Sequence, residues 1–242
     1  MADEIPRVRM FAGPNGSGKS CFNHIVDAKW LGVYVNADDI EKELRSNGIS
    51  LLDYKVEIDD EDFIDCFNID CKSRGKELLG IECLNGKVTV DVKEMDSYYA
   101  AMIAEQIRKH LLILGVSFTF ETVMSHESKI GFLSVARKKG YRTYLYFIAT
   151  EDPEINIARV AKRVAKGGHD VPTDKIKSRY YRSIRLLPLA LRIVDRGYVF
   201  DNSGDEEEWI AETTNSAGDE FATLELKVNT LPHWMDAVIK LE

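Results

Sequence analysis

The sequence contains no long apolar run and few cysteines. No stretch approaches the roughly 18 consecutive apolar residues of a membrane span, and residues 1–4 do not begin a basic segment followed by an apolar one, so we expect neither a transmembrane helix nor a signal peptide. The four cysteines are too few for a disulfide framework in 242 residues, and no pair of Cys-x-x-Cys units suggests zinc. We therefore expect a reduced, cytoplasmic protein.

Acidic residues outnumber basic ones, and the formal net charge is −8. This balance argues against broad nucleic-acid binding and makes nucleic acid an unlikely partner. The charge is unevenly distributed. Residues 159–196 hold eleven Lys or Arg and three Asp, whereas residues 51–97 hold thirteen acidic and six basic residues. A basic segment within an acidic chain suits a polyphosphate that is held locally better than a long polyanion.

One stretch near the N-terminus matches the phosphate-binding loop Gly-x-x-x-x-Gly-Lys-Ser at every fixed position. Its residues are Gly13, Pro14, Asn15, Gly16, Ser17, Gly18, Lys19 and Ser20. Glycines allow backbone N–H groups to turn towards one anion, while the lysine reaches the β- and γ-phosphates and the serine hydroxyl ligates Mg²⁺. A short strand at 8–12 and a helix at 21–28 are predicted on either side, as this motif requires. The pattern predicts binding of ATP and Mg²⁺.

Strands alternate with helices along the rest of the chain, which predicts an α/β fold with a mostly parallel sheet flanked by helices, of the P-loop kinase type. Predicted strands lie at 32–35, 116–121, 141–149, 198–201 and 221–228, and predicted helices at 38–46, 98–114, 127–139, 153–166 and 173–196, with a short helix at Trp234. We interpret the chain as a single domain, 1–242, with an acidic insertion at 51–97, a basic helical lid and a C-terminal extension at 205–242. Asn85-Gly86 predicts a β-hairpin within the insertion.

Polar residues follow several predicted strands, at the edge where ligands of such sheets bind. Asp38 follows the second strand and is a candidate general base, although it is equally suited to cap a helix, with Glu41 completing a capping box. Glu121 is a candidate for orienting a substrate or for holding Mg²⁺ through water; the alternative is an ordinary solvated strand end. We expect Asn36, Asp38, Glu121 and Thr122 to contact the substrate.

Arginines in the basic segment are candidates for clamping the charge of a transferring phosphoryl group, or for a solvated helix face. Arg159 and Arg163 share one helix face, and Arg179 and Arg182 share another. We assign ATP binding to Gly13–Ser20 together with Cys21, Arg159 and Asn202, and catalysis to Lys19, Asp38, Arg163 and Arg179.

These motifs together resemble the zeta toxin family of P-loop kinases. The resemblance rests on Gly13–Ser20, Val-Asn-Ala-Asp-Asp-Ile at 35–40, Phe-Glu-Thr at 120–122 with Ser125, Arg-Val-Ala-Lys-Arg at 159–163, Gly-Gly-His-Asp-Val-Pro at 167–172 and Phe-Asp-Asn-Ser at 200–203. It implies phosphorylation of a sugar hydroxyl of UDP-N-acetylglucosamine by ATP, with Lys19 and Ser20 on ATP and Mg²⁺. It further implies Asp38 as base, Glu121 on the acceptor, and Arg163 and Arg179 on the phosphates.

The resemblance also implies an antitoxin protein as a partner, although no segment of this chain matches one, and the insertion at 51–97 departs from the family pattern. We therefore expect an ATP- and Mg²⁺-dependent kinase of a small molecule such as a nucleotide sugar. The alternatives are an ATP-binding switch without an acceptor and a polynucleotide 5′-hydroxyl kinase.

Overall fold

The computed structural model describes residues 5–20, 25–215 and 223–239. Its strands are β1 (Arg7–Ala12), β2 (Val33–Val35), β3 (Ile49–Ser50), β4 (Ile81–Leu84), β5 (Lys87–Val90), β6 (Phe118–Thr122), β7 (Arg142–Ala149), β8 (Arg196–Asp201), β9 (Glu208–Thr214) and β10 (Thr223–Leu226). Its α-helices are α1 (Ala28–Leu31), α2 (Ala37–Leu44), α3 (Asp60–Ser73), α4 (Ser97–Leu114), α5 (Ser128–Lys138), α6 (Pro153–Val164), α7 (Thr173–Ile193) and α8 (His233–Ile239). None of the helices described is long and apolar enough to cross a membrane.

The chain divides into two compact units. Unit 1 is Met1–Trp30 with Glu121–Glu242, and unit 2 is Leu31–Phe120. In unit 1 the strands lie in the order β10-β9-β8-β7-β1, with β1, β7 and β8 parallel and β9 antiparallel to both of its neighbours, β8 and β10. Helices α5 and α7 pack against β7. The fold is therefore α/β with a mostly parallel sheet, as predicted.

The parallel strands of unit 1 are largely buried, as is usual for strands that helices cover. Val8, Met10, Leu145, Phe147 and Val199 have no exposed surface. Burial of such side chains contributes about 1.5–3 kcal/mol each relative to leaving them in water. This core fixes the carboxyl ends of β1, β7 and β8, the edge at which parallel sheets of this kind bind their ligands.

Unit 2 pairs β2 with β6 in parallel and packs α2 against α4. A separate small sheet has the order β3-β5-β4 and is antiparallel. Helix α4 begins at Asp96, whose carboxylate accepts hydrogen bonds from the N–H groups of Tyr98 and Tyr99 at 2.8 and 3.0 Å. It ends at Gly115, whose φ of 70° is the left-handed conformation typical of a helix stop.

The predicted hairpin is present, and a carboxylate holds its turn. Asn85 and Gly86 both have positive φ, 53° and 74°, as a two-residue turn between β4 and β5 requires. Asp60, at the start of α3, accepts hydrogen bonds from both of their N–H groups at 2.7 and 2.9 Å and from the Cys83 thiol at 3.1 Å. Burial, aided by this carboxylate, raises the pKa of the Cys83 thiol to about 12.

The structure also adds elements that the sequence analysis missed. The segment 51–97 contains α3, and Phe63 and Phe67 on this helix are fully buried, so the segment supplies part of the core of unit 2. Strand β9 was not predicted either, and it forms an antiparallel neighbour of β8.

Two local predictions are wrong. The helix predicted from Asp38 begins at Ala37 instead, and Asn36 is its N-cap, with its side chain accepting from the Asp38 N–H at 2.9 Å. Asp38 therefore does not cap the helix, and Glu41 bonds Arg45 rather than closing a capping box. The helix predicted at 21–28 is not continuous, because 25–27 are not α-helical and α1 begins only at Ala28, while 21–24 lie outside the described residues.

Candidate active site

The glycine-rich loop follows the buried end of β1 and packs tightly against its neighbours. Gly13 has a φ of 148°, and a Cβ there would lie 1.9 Å from the carbonyl oxygen of Ile148. Gly18 has a φ of 94°, and a Cβ there would lie 2.4 Å from the amide nitrogen of Asn202. Both positions therefore need glycine, for the backbone conformation and for the close approach. The close approach of Ile148 and Asn202 thus leaves no room for a side chain at these two positions.

Two buried or half-buried asparagines from other elements hold the loop in place. Asn156 on α6 is fully buried and donates from its side-chain amide to the carbonyl of Asn15 at 2.7 Å. Its amide oxygen accepts a short hydrogen bond from the Thr150 hydroxyl. Asn202, after β8, donates to the carbonyl of Ser17 at 2.8 Å. The loop conformation is thus fixed from two sides.

Asn156 is a site residue that the sequence analysis missed. The buried residues of α6 are Pro153, Asn156 and Val160, three and four positions apart, which is the spacing of one helix face. An asparagine on the apolar face of an amphipathic helix must find hydrogen-bond partners once buried. That pattern was available in the sequence and would have pointed to it, though not to Asn15 as the partner.

Lys19 and Ser20 lie at the end of the loop, close to Glu121 and Thr122 of the same unit. The Lys19 ammonium group donates to the carbonyls of Gly13 and Pro14, both at 2.9 Å, and so lies over the loop. The Ser20 hydroxyl donates to the Glu121 carboxylate at 3.0 Å. The next residue, Thr122, accepts the Gly13 N–H on its carbonyl at 3.3 Å. Glu121 and Thr122 are therefore at the loop, as expected for residues of one site.

The predicted arginines reach the loop to different degrees. Arg159 donates to the carbonyl of Asn202 at 2.7 Å, and Arg179 lies 3.4 Å from the side-chain oxygen of Asn15. Arg163 instead bonds the carbonyl of His169 at 2.7 Å, in the turn after α6. Arg182 bonds Ser178 on its own helix. The structure thus brings Arg159 and Arg179 to the loop region through Asn202 and Asn15.

A basic surface cavity continues from these arginines along α6. Its volume is about 370 Å³, and it is lined by Arg159, Lys162, Arg163, Lys166 and Gly168. Cationic side chains in this arrangement favour an anion with several charges. Arg163 contributes to this cavity even though it also donates a hydrogen bond to the carbonyl of His169.

Three predicted site residues remain: Asn36, Asp38 and Cys21. Asn36 and Asp38 belong to unit 2, where Asn36 caps α2 and Asp38 occupies the first turn of that helix. Their place relative to the loop stays a prediction. Cys21 lies outside the described residues.

The residues present fit a nucleoside triphosphate with Mg²⁺. Glycines in the loop adopt conformations that other residues rarely reach. The Ser17 hydroxyl oxygen is buried without a hydrogen-bond partner, so the loop contains a polar atom that no protein group satisfies. Ser20 and Glu121 supply hydroxyl and carboxylate oxygens, the ligands that Mg²⁺ prefers. Among the described residues no group of three or more His, Cys, Asp or Glu side chains forms an all-protein metal site. Mg²⁺ bound with phosphates uses one or two protein ligands, which matches this pair.

Comparison with protein families gives a match to the family model described as "Zeta toxin" over residues 85–206, half of the chain. The match begins after the glycine-rich loop and includes Glu121, the four candidate arginines of α6 and α7, and Asn202. Among curated proteins, an uncharacterised protein of Haemophilus influenzae is 35% identical over 65 residues, which are 27% of this chain and 46% of that protein.

Solved structures with a similar fold include one from a toxin-antitoxin system and two of the AvrRxo1-ORF1:-ORF2 complex. The PezAT chromosomal toxin-antitoxin system of Streptococcus pneumoniae matches with a TM-score of 0.52 and 16% identity, over 100% of this chain and 80% of that one. AvrRxo1-ORF1:-ORF2 with ATP matches with a TM-score of 0.53 and 13% identity, over 88% of this chain and 59% of that one. The native AvrRxo1-ORF1:-ORF2 complex reaches a TM-score of 0.59 at 13% identity, over 98% of this chain and 63% of that one. The chain thus spans 46% of the curated relative, about three fifths of the AvrRxo1 chains and 80% of the PezAT chain, and the likeness in structure concerns the fold.

Proposed function

Because the chain belongs to the zeta toxin family, we propose that it is an ATP- and Mg²⁺-dependent kinase that transfers the γ-phosphate to a hydroxyl group of a small molecule. The observation that carries the proposal is the glycine-rich loop held by Asn156 and Asn202, with Lys19, Ser20 and Glu121 at its end. The loop supplies backbone donors, the lysine supplies a positive charge, and the serine and glutamate supply oxygen ligands. These are the recurring parts of a phosphoryl-transfer site.

Each side chain has a defined task in this proposal. Lys19 holds the β- and γ-phosphates, and Ser20 holds Mg²⁺, which neutralises charge on the phosphate oxygens when it is bound. Arg179 and Arg163 balance the charge that spreads over the transferring group, and Arg159 holds the loop after β8 in position through Asn202. Glu121 and Thr122 orient the acceptor, and Glu121 also fixes the Ser20 hydroxyl.

Asp38 is proposed as the general base that accepts the proton of the acceptor hydroxyl. Its competing assignment was helix capping, and Asn36 performs that task in the structure. The Asp38 carboxylate is therefore not required by the start of α2. This supports a chemical role, whose placement relative to the loop rests on the strand-end position of Asp38 and on the family resemblance.

The acceptor proposed for first testing is a nucleotide sugar such as UDP-N-acetylglucosamine, as in the family that the chain belongs to. An antitoxin protein is proposed as a partner on the same ground, since PezAT is itself a toxin-antitoxin system. If either the acceptor or the antitoxin proposal failed, the assignment of ATP binding to the glycine-rich loop would still stand.

The function is tested by incubating the purified chain with ATP, Mg²⁺ and a panel of nucleotide sugars, followed by mass spectrometry. We expect one sugar to gain a single phosphate in step with ADP release. Lys19→Ala is the control, because it removes the loop cation and is expected to abolish the product. Release of ADP at the same rate with and without every sugar would favour an ATP-binding switch instead.

A further inference from the structure

Unit 1 has a second cavity of about 500 Å³ on one face of its sheet. The register places Arg9 on β1 beside Tyr144 on β7, and Tyr144 beside Arg196 on β8. Tyr146 and Tyr198 form the neighbouring row on the same face, since strand residues two positions apart point the same way. We name this site the Arg9 cavity; its lining also includes Trp30 and Arg142.

Aromatic rings form the floor of the Arg9 cavity. Phe11 and Tyr146 are stacked with ring centroids 4.8 Å apart at 15°, and Tyr146 and Tyr198 are stacked at 5.0 Å and 17°. The Arg9 guanidinium lies 5.1 Å from the centroid of the Tyr144 ring. Because stacked neighbours cover each other's faces, the tyrosines present ring edges to the cavity, and a ligand ring that lies over them makes the edge-to-face contact that aromatic pairs favour.

Arg9 is the unusual residue of this cavity. It is 2% exposed, and its NH1 nitrogen is buried without a hydrogen-bond partner. Burial lowers the pKa of Arg9, and the neighbouring Tyr146 and Tyr144 oppose that effect. Two other arginines of unit 1 do have carboxylate partners: Arg137 pairs with Asp195 at 3.1 Å, and Arg196 pairs with Glu212. A buried cation without a carboxylate partner destabilises the fold, and binding of an anion would offset that cost.

The charge around Arg9 is also positive. The lining has four cationic side chains and one carboxylate, Asp27, which pairs with Lys29 at 2.7 Å. Arg142 makes a cation–π contact with Tyr144 at 5.9 Å and, within the described residues, no ion pair. An anion in this cavity would therefore meet cationic groups on several strands.

The Arg9 cavity is separate from the glycine-rich loop. Arg142 and Arg196 are the first residues of β7 and β8, whereas the loop follows the carboxyl end of β1. The cavity is of the size that small ligands fill, about 300–1,000 Å³. The proposed kinase chemistry uses none of its residues.

We infer that the Arg9 cavity binds a small planar anion, an aromatic or heteroaromatic ring that carries a phosphate or carboxylate group. The anionic group pairs with Arg9 and Arg142, and the ring lies on the tyrosine floor. The same chemistry is found in phosphorylated and in carboxylated aromatic molecules, and the experiment separates these two sources.

The test measures binding by isothermal titration calorimetry in the full-length Lys19→Ala variant, so that phosphate binding at the loop does not contribute. The probes are phenyl phosphate, benzoate, cyclohexyl phosphate and inorganic phosphate. We expect phenyl phosphate or benzoate to bind at one site, about two- to tenfold more tightly than cyclohexyl phosphate, because a ring contact adds about 0.5–1.5 kcal/mol. The tighter of the two aromatic probes identifies the anionic group.

The variants separate ligand binding from packing. Adding Arg9→Met should reduce the affinity at least about tenfold and raise the melting temperature, because a costly buried charge is replaced by an apolar side chain. Arg142→Gln, at an exposed position, should weaken binding without a change of stability, and Lys138→Met, with the same loss of charge on α5, should change neither. Unsaturable binding, equal affinity for the phenyl and cyclohexyl probes, or full affinity in both arginine variants would overturn the inference. A melting temperature lowered by Arg9→Met together with no binding to the unaltered cavity would make Arg9 a packing residue.

Discussion

Asn156→Ala is the prediction that tests how the loop is held. The substitution removes the donor to the Asn15 carbonyl and the acceptor of the Thr150 hydroxyl, and both Asn156 and Thr150 are fully buried. Leaving a buried polar group unpaired costs about 1–3 kcal/mol, and the Asn15 carbonyl lies in a partly exposed residue, so its share is at the low end. The better helix propensity of alanine returns about 0.5 kcal/mol. We expect a net loss of about 2 kcal/mol in the free energy of unfolding.

The assay is urea unfolding followed by tryptophan fluorescence, which reports unit 1 because Trp30, Trp209 and Trp234 all belong to it. ATP affinity is measured in parallel and should also fall, since the loop loses one of its two anchors. Lys162→Ala, at an exposed position on the same helix, is the control and should change stability by less than about 0.5 kcal/mol. A free energy of unfolding and an ATP affinity both equal to wild type in Asn156→Ala would refute the anchoring role.

Three further predictions follow from the site and from unit 2. Lys19→Ala should lose the thermal stabilisation by ATP, which for an intact site is about 2.7 kcal/mol at a hundredfold excess over the dissociation constant; an unchanged melting shift would contradict the assignment. Asp38→Asn should leave the fold and ATP affinity intact, because Asn36 caps α2, and lower acceptor phosphorylation by about 10²-fold or more; turnover above about a third of wild type would exclude a base. The Cys83 thiol and the N–H groups of Gly86 and Asn85 lower the pKa of Asp60, so its contribution to stability should be complete above about pH 4 and be lost as the pH falls through that lowered pKa. Urea unfolding at several pH values should show this acid loss in wild type and a smaller one in Asp60→Asn, and identical profiles would contradict it.

Local sequence patterns predicted the elements whose signals are complete within a few residues. Asp152 followed by Pro153 predicted the start of α6, and the Asp152 side chain caps that helix by accepting from the Glu154 N–H at 2.7 Å. Asn85-Gly86 predicted the hairpin because its turn needs two residues that tolerate positive φ. The glycine-rich loop was recognisable for the same reason.

Elements were missed where the local pattern was weak or ambiguous. Helix α3 has a buried face of Phe63, Phe67 and Cys71, but its acidic composition suggested a surface insertion. The start of α2 offers both Asn36 and Asp38 as caps, and spacing alone does not choose between residues two positions apart. Contacts such as Asn156 with Asn15 join residues 141 positions apart, so no local pattern contains them.

Arg9 illustrates a different limit of sequence reasoning. Alternation along β1 places it on the same face as Arg7 and Phe11, but this pattern in a short strand gives no indication that the Arg9 side chain is buried. Its surroundings come from β7 and β8, which are distant in sequence and are brought together only by the sheet.

The fate of the γ-phosphate tests the central claim most directly. The chain is incubated with ATP labelled at the γ-phosphate, Mg²⁺ and a nucleotide sugar acceptor, and the label is followed into the sugar and into inorganic phosphate. A kinase that excludes water should place most of the label on the acceptor, with none transferred by Lys19→Ala. Label found only in inorganic phosphate, at a rate that no acceptor changes, would contradict the account.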